Sequence, residues 1–136
     1  MNIKELSLNG VYVVEPERLA DSRGFFARTF CARTFKEFGL VDNFVQCNTS
    51  FNKLKGTLRG MHFQRKPYSE VKLIRCTKGA IHDVIIDLRS ESETYGDYLA
   101  TNLSEENGRM LYVPEGFAHG FQTLTENTEV FYQMSE

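Results

Sequence analysis

Short runs rich in hydrophobic, β-branched and aromatic residues recur along the chain, and polar turn residues separate them. Val, Ile, Tyr, Phe and Thr favour extended backbone, so each run predicts a β-strand. The predicted strands cover residues 10–15, 24–30, 44–51, 57–64, 71–76, 80–89, 97–103, 109–113, 118–124 and 129–134. The clearest turn signals between them are Asn9-Gly10, Lys55-Gly56, Lys78-Gly79, Asn107-Gly108 and Glu115-Gly116.

One helix is predicted over residues 31–38, ending at Gly39, and residues 103–107 could form a second short helical turn with Ser104 as its cap. Many short strands at regular spacing are typical of an all-β barrel or sandwich. No repeat, low-complexity tract or linker divides the chain, so residues 1–136 are expected to form a single domain. Small barrels of this kind hold a ligand in their interior or at their mouth.

One hairpin can be predicted in detail, between residues 71–76 and 80–85. A two-residue turn at Thr77-Lys78 would place Lys72 opposite Asp83 on one face, and opposite charges in that position attract. His82 would then point to the other face, so we leave it out of the candidate chemistry. A register slip of one residue would reverse this assignment.

Composition narrows the possible partners. A net charge of -2 gives no bulk attraction to nucleic acid or to an anionic membrane, so any anion must be bound by locally placed Arg and Lys. No apolar run approaches the ~20 residues that span a bilayer, and the N-terminus has no signal-peptide core, so a cytoplasmic protein is expected. Cys31, Cys47 and Cys76 are widely spaced and form no CxxC pair, which favours buried thiols in a reducing compartment over a disulfide or zinc site.

Two histidines stand in glycine-punctuated motifs, residues 56–64 and 114–119. His62 suits proton transfer near neutral pH, although a hydrogen-bonded core histidine is an equal alternative. Arg59 lies three residues earlier, on the opposite face of a regular strand, and a bulge at Gly60 would turn both side chains inward. His119 follows a Pro-x-Gly turn, and it either binds a ligand or anchors that turn.

Other side chains could complete a site. Lys72, paired with Asp83, could stabilise a developing oxyanion, or it could be an ordinary solvated lysine. Tyr132 could donate a proton, although a packed tyrosine is the more common role. Arg23 stands before two aromatic residues, a combination that suits phosphate binding as well as a plain surface. Gln46 and Asn48 share one strand face and could hydrogen-bond a polar ligand.

A metal site is a weaker hypothesis. His62 and His119 could be two ligands and Glu70 a third, but the second histidine of a His-x-His pair is replaced by Gln64. Glutamine is a poor ligand for zinc, iron or copper, so the ligand count argues against a metal-dependent enzyme.

Six motifs, in order and over nearly the whole chain, resemble one family. They are residues 21–26 (DSRGFF), Gln46-x-Asn48, 56–64 (GTLRGMHFQ), 72–75 (KLIR), 83–89 (DVIIDLR) and 114–121 (PEGFAHGF). Together they resemble the dTDP-4-dehydrorhamnose 3,5-epimerases. The resemblance implies a cupin-type jelly roll, a homodimer, no metal or other cofactor, and action on a dTDP-4-keto-6-deoxy sugar for cell-surface polysaccharide.

The resemblance also implies roles. His62 would remove a proton beside the ketone, Lys72 held by Asp83 would stabilise the enolate, and Tyr132 would return a proton on the opposite face. The substrate-binding residues would be Arg23 and Phe26, with Arg23 coming from the partner subunit, and Gln46, Asn48, Arg59 and His119.

The chain differs from the family pattern at two points. Arg28 stands where a glutamate is expected, and no residue matches an aspartate that pairs with the catalytic histidine in a further C-terminal segment of the family. Two alternatives to an epimerase therefore stay open, a non-catalytic nucleotide-sugar binding protein and a ketoisomerase of the same fold. The Leu-Arg-Gly-Met-His run favours the epimerase over the ketoisomerase.

Overall fold

The computed structural model describes residues 1–136 as twelve β-strands and one short helix. The strands are β1 (Asn2–Glu5), β2 (Tyr12–Glu15), β3 (Arg18–Asp21), β4 (Gly24–Ala27), β5 (Gln46–Asn52), β6 (Leu58–His62), β7 (Lys72–Lys78), β8 (Ala80–Asp87), β9 (Tyr98–Ser104), β10 (Met110–Val113), β11 (Phe117–Thr123) and β12 (Thr128–Met134). The helix α1 spans Ala32–Glu37. The predicted all-β class with a short helix is confirmed, whereas residues 103–107 form no second helix. The sequence pattern misses β1 and β3 because each has only four residues, almost all of them exposed.

The strands form two facing sheets and a separate hairpin. A six-stranded sheet has the order β1-β2-β10-β7-β12-β5, a four-stranded sheet has the order β6-β11-β8-β9, and β3 pairs only with β4. The main hydrophobic core combines Ile74 and Leu111 of the larger sheet with Ile85 and Phe121 of the smaller one. The two sheets therefore pack face to face as a sandwich, with inward and outward side chains alternating along each strand.

A second core covers part of the outer face of the six-stranded sheet. Phe35 of α1 is fully buried there, and its ring makes edge-on contacts with Phe30, Phe44 and Tyr112. Aromatic pairs in this geometry add to the stabilisation that burial alone provides. The six-residue helix is thus held by tertiary packing rather than by its own length.

The predicted hairpin between residues 71–76 and 80–85 is wrong. The chain crosses from one sheet to the other at Gly79, so β7 pairs with β10 and β12, whereas β8 pairs with β9 and β11. Alternation along β8 nevertheless predicted the faces of its residues correctly. Asp83 is buried, whereas His82 is exposed and forms a hydrogen bond with Asn102. The pattern of a strand indicates which face is buried, but it does not identify the neighbouring strand.

Asp87 organises the loop that follows β8. Its buried carboxylate accepts two bonds from the Arg89 side chain at 2.9 and 2.7 Å, and one each from the hydroxyls of Ser92 and Thr94 at 2.7 Å. Burial by itself raises the pKa of Asp87, but the hydrogen bonds from Arg89, Ser92 and Thr94 outweigh it and hold the pKa well below its usual value. The loop is therefore tied down by an ionised carboxylate.

All three cysteines are free thiols in different environments. Burial raises the pKa of the Cys76 thiol to about 11, as expected for a small residue packed in the core. Cys47 is exposed and Cys31 is half-buried, so the prediction of three buried cysteines holds only for Cys76. No helix in the structure is long and apolar enough to cross a membrane.

Candidate functional site

A cavity of about 620 Å³ lies between the two sheets. Its walls come from β6 and β11 on one side, from β7 and β12 on the other, and from the connection after β6. The lining residues are Leu58, Arg59, Gly60, His62, Phe63, Gln64, Glu70, Lys72, His119, Gly120, Phe121, Tyr132 and Met134. The histidines of both motifs, His62 and His119, therefore line the same cavity, as a shared site requires.

A bulge in β6 turns Arg59 and His62 toward this cavity. His62 lies opposite His119 and Arg59 lies opposite Phe121, so three steps along β6 match two steps along β11. Alternation would place these two side chains on opposite faces of the strand, but an extra residue between them lets both point to the same face. The bulge predicted at Gly60 is thus confirmed, and both side chains line the cavity.

Gly60 makes the bulge possible because it lies directly against Gly120 of β11. A Cβ atom added at Gly60 would lie 2.6 Å from the Gly120 Cα and 2.7 Å from the His119 carbonyl oxygen. The φ angle of Gly60, +103°, is also one that side-chain-bearing residues rarely adopt. The two glycines let the backbones of β6 and β11 approach closely enough to fix where Arg59 lies.

The Arg59 side chain is held by a buried amide. Its Nε donates to the Asn52 Oδ1 at 2.6 Å, and Asn52 is 3% exposed. This bond leaves the terminal nitrogens of the guanidinium free to bind an anion in the cavity. Asn52 is a supporting residue that the sequence did not reveal, because its partner lies on a strand of the other sheet.

His119 is paired with Asp83. The His119 Nε2 lies 2.7 Å from the Asp83 Oδ1, and Asp83 is completely buried. Because a carboxylate only accepts, Nε2 carries the proton, which leaves Nδ1 as the ring nitrogen available to a ligand. The predicted partner of Asp83 was Lys72. That pairing is wrong, since the two residues lie on strands that are not neighbours.

Lys72 instead forms an ion pair with Glu70. The Lys72 Nζ lies 3.0 Å from the Glu70 Oε1, and their side chains are only 12% and 6% exposed. Both line the cavity, so the prediction of an inward-facing lysine with a carboxylate partner holds, but with a different carboxylate. Residues 70 and 72 share a face along extended backbone, and this spacing is the signal in the sequence that could have identified the pair.

Tyr132 enters the cavity from the six-stranded sheet. It lies opposite Asn48 on β5 and Ile74 on β7, and its ring also packs against the main core. Asn48 and Gln46 share its face of the sheet, and the Asn48 Nδ2 donates to the Gln46 Oε1 at 3.0 Å. The predicted amide pair therefore stands on the strand next to Tyr132, although neither amide is among the cavity-lining residues.

Two predicted site residues are not brought to this cavity. Arg23 and Phe26 lie on the hairpin of β3 and β4, where Phe26 is 65% exposed and Arg23 pairs with Asp21 at 2.6 Å. Phe26 and Arg28 instead line a separate pocket of about 270 Å³. Within a single chain the site is therefore built without this hairpin.

The structure contains no group of three or more His, Cys, Asp or Glu side chains arranged to hold a metal ion. The cavity instead presents two groups suited to proton transfer on opposite walls. His62 belongs to the four-stranded sheet and Tyr132 to the six-stranded sheet, so a flat ligand between them would be reached from both faces. Arg59, His119 and Lys72 surround the same space with donors for anionic or carbonyl oxygens.

Comparisons with known proteins agree on one family. A family model described as dTDP-4-dehydrorhamnose 3,5-epimerase matches residues 5–136. A relative of that name from Methanothermobacter thermautotrophicus is 47% identical over 131 residues, which cover 96% of this chain and 69% of the relative.

Solved structures agree with this match. The dTDP-4-dehydrorhamnose 3,5-epimerase of Bacillus anthracis, crystallised with TDP and PPi bound, is 41% identical with a TM-score of 0.96, and the match covers 99% of this chain and 77% of that one. The dTDP-6-deoxy-D-glucose-3,5-epimerase of Legionella pneumophila, in complex with dTDP-4-keto-L-rhamnose, is 37% identical with a TM-score of 0.93, covering 99% of this chain and 71% of that one. The predicted jelly-roll fold is thereby confirmed.

Proposed function

The chain belongs to the dTDP-4-dehydrorhamnose 3,5-epimerase family, and we propose that its cavity inverts the carbons beside the ketone of a dTDP-4-keto-6-deoxyhexose. The reaction belongs to the biosynthesis of dTDP-rhamnose and related deoxysugars. Matches to epimerases over the whole chain favour this activity over that of a ketoisomerase, which would move the carbonyl group instead.

The observation that carries the proposal is the position of His62 and Tyr132 on facing sheets. The C4 ketone acidifies the hydrogens on C3 and C5, so a base on one side of the sugar can remove either. His62 takes this proton, and the electrons move onto the ketone oxygen to form an enolate. Tyr132 then delivers a proton to the same carbon from the opposite side, and the configuration is inverted.

Lys72 stabilises the enolate. Its ammonium group, 3.0 Å from the Glu70 carboxylate, is the only lysine charge among the lining residues. A preorganised positive charge at the oxygen where negative charge develops lowers the barrier without reorganisation during the reaction. The same oxygen is shared by the enolates formed at C3 and at C5, so one lysine serves both inversions.

Arg59 and His119 bind the diphosphate or the sugar. The Asn52 amide orients Arg59, and the Asp83 carboxylate orients His119, so both donors are fixed before the ligand arrives. Gln46 and Asn48 add amide contacts from the strand next to Tyr132.

We further propose that the protein is a homodimer in which the hairpin of β3 and β4 reaches the cavity of a second copy. The hairpin exposes Leu19, Phe25 and Phe26 at 60%, 59% and 65%, and it pairs with neither main sheet. Clustered exposed apolar residues of this kind mark an interaction surface. Arg23 and Phe26 would then join the site from the partner, which accounts for their distance from the cavity of their own chain.

A complementation experiment tests the shared site. His62→Ala and Arg23→Ala are each expected to be inactive, but mixed dimers would contain one intact site, so remixing should restore about a quarter of the activity. If both residues acted within one chain, no mixture of the two variants would be active. Sedimentation measures the oligomeric state directly.

The protein is also proposed to work in the cytoplasm, where its three free thiols would stay reduced.

The chemistry is tested by incubating the protein with dTDP-4-keto-6-deoxyglucose in deuterated water. Deuterium should appear at C3, C5 or both, with inversion seen by NMR. His62→Asn should lower exchange by about 10²–10⁴-fold, whereas Tyr132→Phe should lower inversion more than exchange, because the base remains. Binding of dTDP by the wild-type protein without any exchange would instead identify a nucleotide-sugar binding protein, and a moved carbonyl would identify a ketoisomerase.

A further inference from the structure

Glu70 is a buried carboxylate for which the mechanism above has no direct chemical step. It is 9% exposed, lies two residues before Lys72, and its Oε1 is 3.0 Å from the lysine Nζ. Among the residues that line the cavity it is the only acidic one.

A single carboxylate is unexpected in a cavity proposed to bind a diphosphate, because like charges repel. Removing the Lys72 and Glu70 charges from water also costs free energy, and a pair of well-packed apolar residues would stabilise the fold equally well or better. Stability therefore does not explain the pair, and a role in the site does.

The positions of the Arg59 anchor and of Lys72, measured against β12 between them, explain how the cavity tolerates the Glu70 carboxylate. Asn52, which holds Arg59, lies opposite Thr128 at the start of β12, whereas Lys72 lies opposite Met134 at its end. Six residues of strand separate these backbone positions by ~20 Å. The carboxylate thus lies far from the residue that anchors Arg59, so the cavity has an unpaired cation toward one end and a neutralised cation at the other.

We propose that Glu70 is the positioning residue for Lys72, and that it reserves this ammonium group for the ketone oxygen of the sugar. The carboxylate holds the lysine side chain in the cavity and neutralises it in the resting state, so that the diphosphate binds at Arg59 and not at Lys72. This inference rests on the proposed epimerase function and adds a residue to its site.

The kinetic test compares Glu70→Gln, Glu70→Asp and a matched control. Glu70→Gln should lower kcat by about 10–100-fold, the range for loss of one oriented charge contact, and KM should fall as well, because the diphosphate can then bind non-productively at the unpaired Lys72. Glu70→Asp keeps the charge on a shorter side chain and should recover part of the lost kcat. Glu15→Gln breaks the half-exposed Arg109–Glu15 pair, 2.8 Å long, and should leave both constants unchanged.

A second measurement does not depend on activity. The ammonium protons of a buried, paired lysine exchange slowly enough to be seen by NMR at low temperature, and Lys72→Met identifies the signal by its loss. The Lys72 signal should be present in the wild-type protein and absent in Glu70→Gln, with the thermal melting of both variants showing that they are folded.

The outcomes separate the two proposals. No exchange in the wild-type protein overturns the proposed function, and the NMR signal then still decides whether Glu70 orders Lys72. An active wild type whose Glu70→Gln variant keeps its kcat, or a Lys72 signal that survives in that variant, overturns the positioning role.

Discussion

Replacement of Gly60 by alanine tests the feature that builds the cavity. A Cβ at this position meets two backbone atoms, the Gly120 Cα at 2.6 Å and the His119 carbonyl oxygen at 2.7 Å, and the φ angle of +103° is unfavourable for alanine. Two costs therefore combine at one residue, backbone strain and overpacking.

Alanine substitution at two other glycines would incur only one of these two costs at each position. Gly96 has a φ of +83° with nothing within 4 Å of an added Cβ, so Gly96→Ala measures strain alone. Gly120 has no such φ, but its Cβ would lie 2.8 Å from the Arg59 carbonyl oxygen and 2.6 Å from the Met61 sulfur, so Gly120→Ala measures overpacking alone. Strain is worth about 1 kcal/mol and overpacking about 1–3 kcal/mol, which predicts a loss of about 2–4 kcal/mol for Gly60→Ala.

The assay is thermal and denaturant unfolding of the three variants at one fixed protein concentration. Roughly 3–5 °C per kcal/mol is expected for a chain of this length, so Gly60→Ala should melt about 6–20 °C below the wild type and Gly96→Ala about 4 °C below it. The epimerase activity of Gly60→Ala should also fall, because β6 must move away from β11 and carry Arg59 and His62 with it. If Gly60→Ala loses no more stability than Gly96→Ala, the close approach of β6 and β11 is refuted.

Three further predictions concern single groups. Asp83→Asn removes the charge that orients His119, so the affinity for dTDP should fall by about tenfold in calorimetric titration; unchanged affinity would exclude His119 as a ligand contact. Because the folded-state pKa of Asp87 is depressed, its ionised carboxylate stabilises the fold fully above about pH 4, and this stabilisation is lost as the pH falls further. The melting temperatures of Asp87→Asn and the wild type should therefore differ at pH 7 and converge in acid. A constant difference between them would contradict the ionised carboxylate. Iodoacetamide at pH 8 should label Cys47 in the native protein but spare Cys76, whose thiol has a pKa raised to about 11 by burial; equal labelling rates would be inconsistent with this burial.

Much of the site could be predicted because it depends on local patterns. Strand alternation correctly placed Asp83 and His82 on opposite faces of one strand, and the glycine at position 60 correctly indicated a bulge. These inferences need only the geometry of one strand, since the direction of a side chain follows from the backbone within a few residues.

The partner of Asp83 could not be predicted in the same way. Asp83 lies against His119 rather than Lys72 because the chain changes sheets at Gly79, and no local pattern distinguishes this crossing from a tight hairpin turn. Asn52 holds Arg59 for the same reason, across two sheets.

Local sequence patterns were enough to predict the all-β class, the inward faces of most strands and the chemical groups available for proton transfer and anion binding. The pairing of the strands in the folded chain places His62 and Tyr132 on opposite walls of one cavity, and it brings Asp83 to His119. The two differ because side-chain direction is set by short-range backbone geometry, whereas strand pairing is set by the joint packing of residues far apart in the chain.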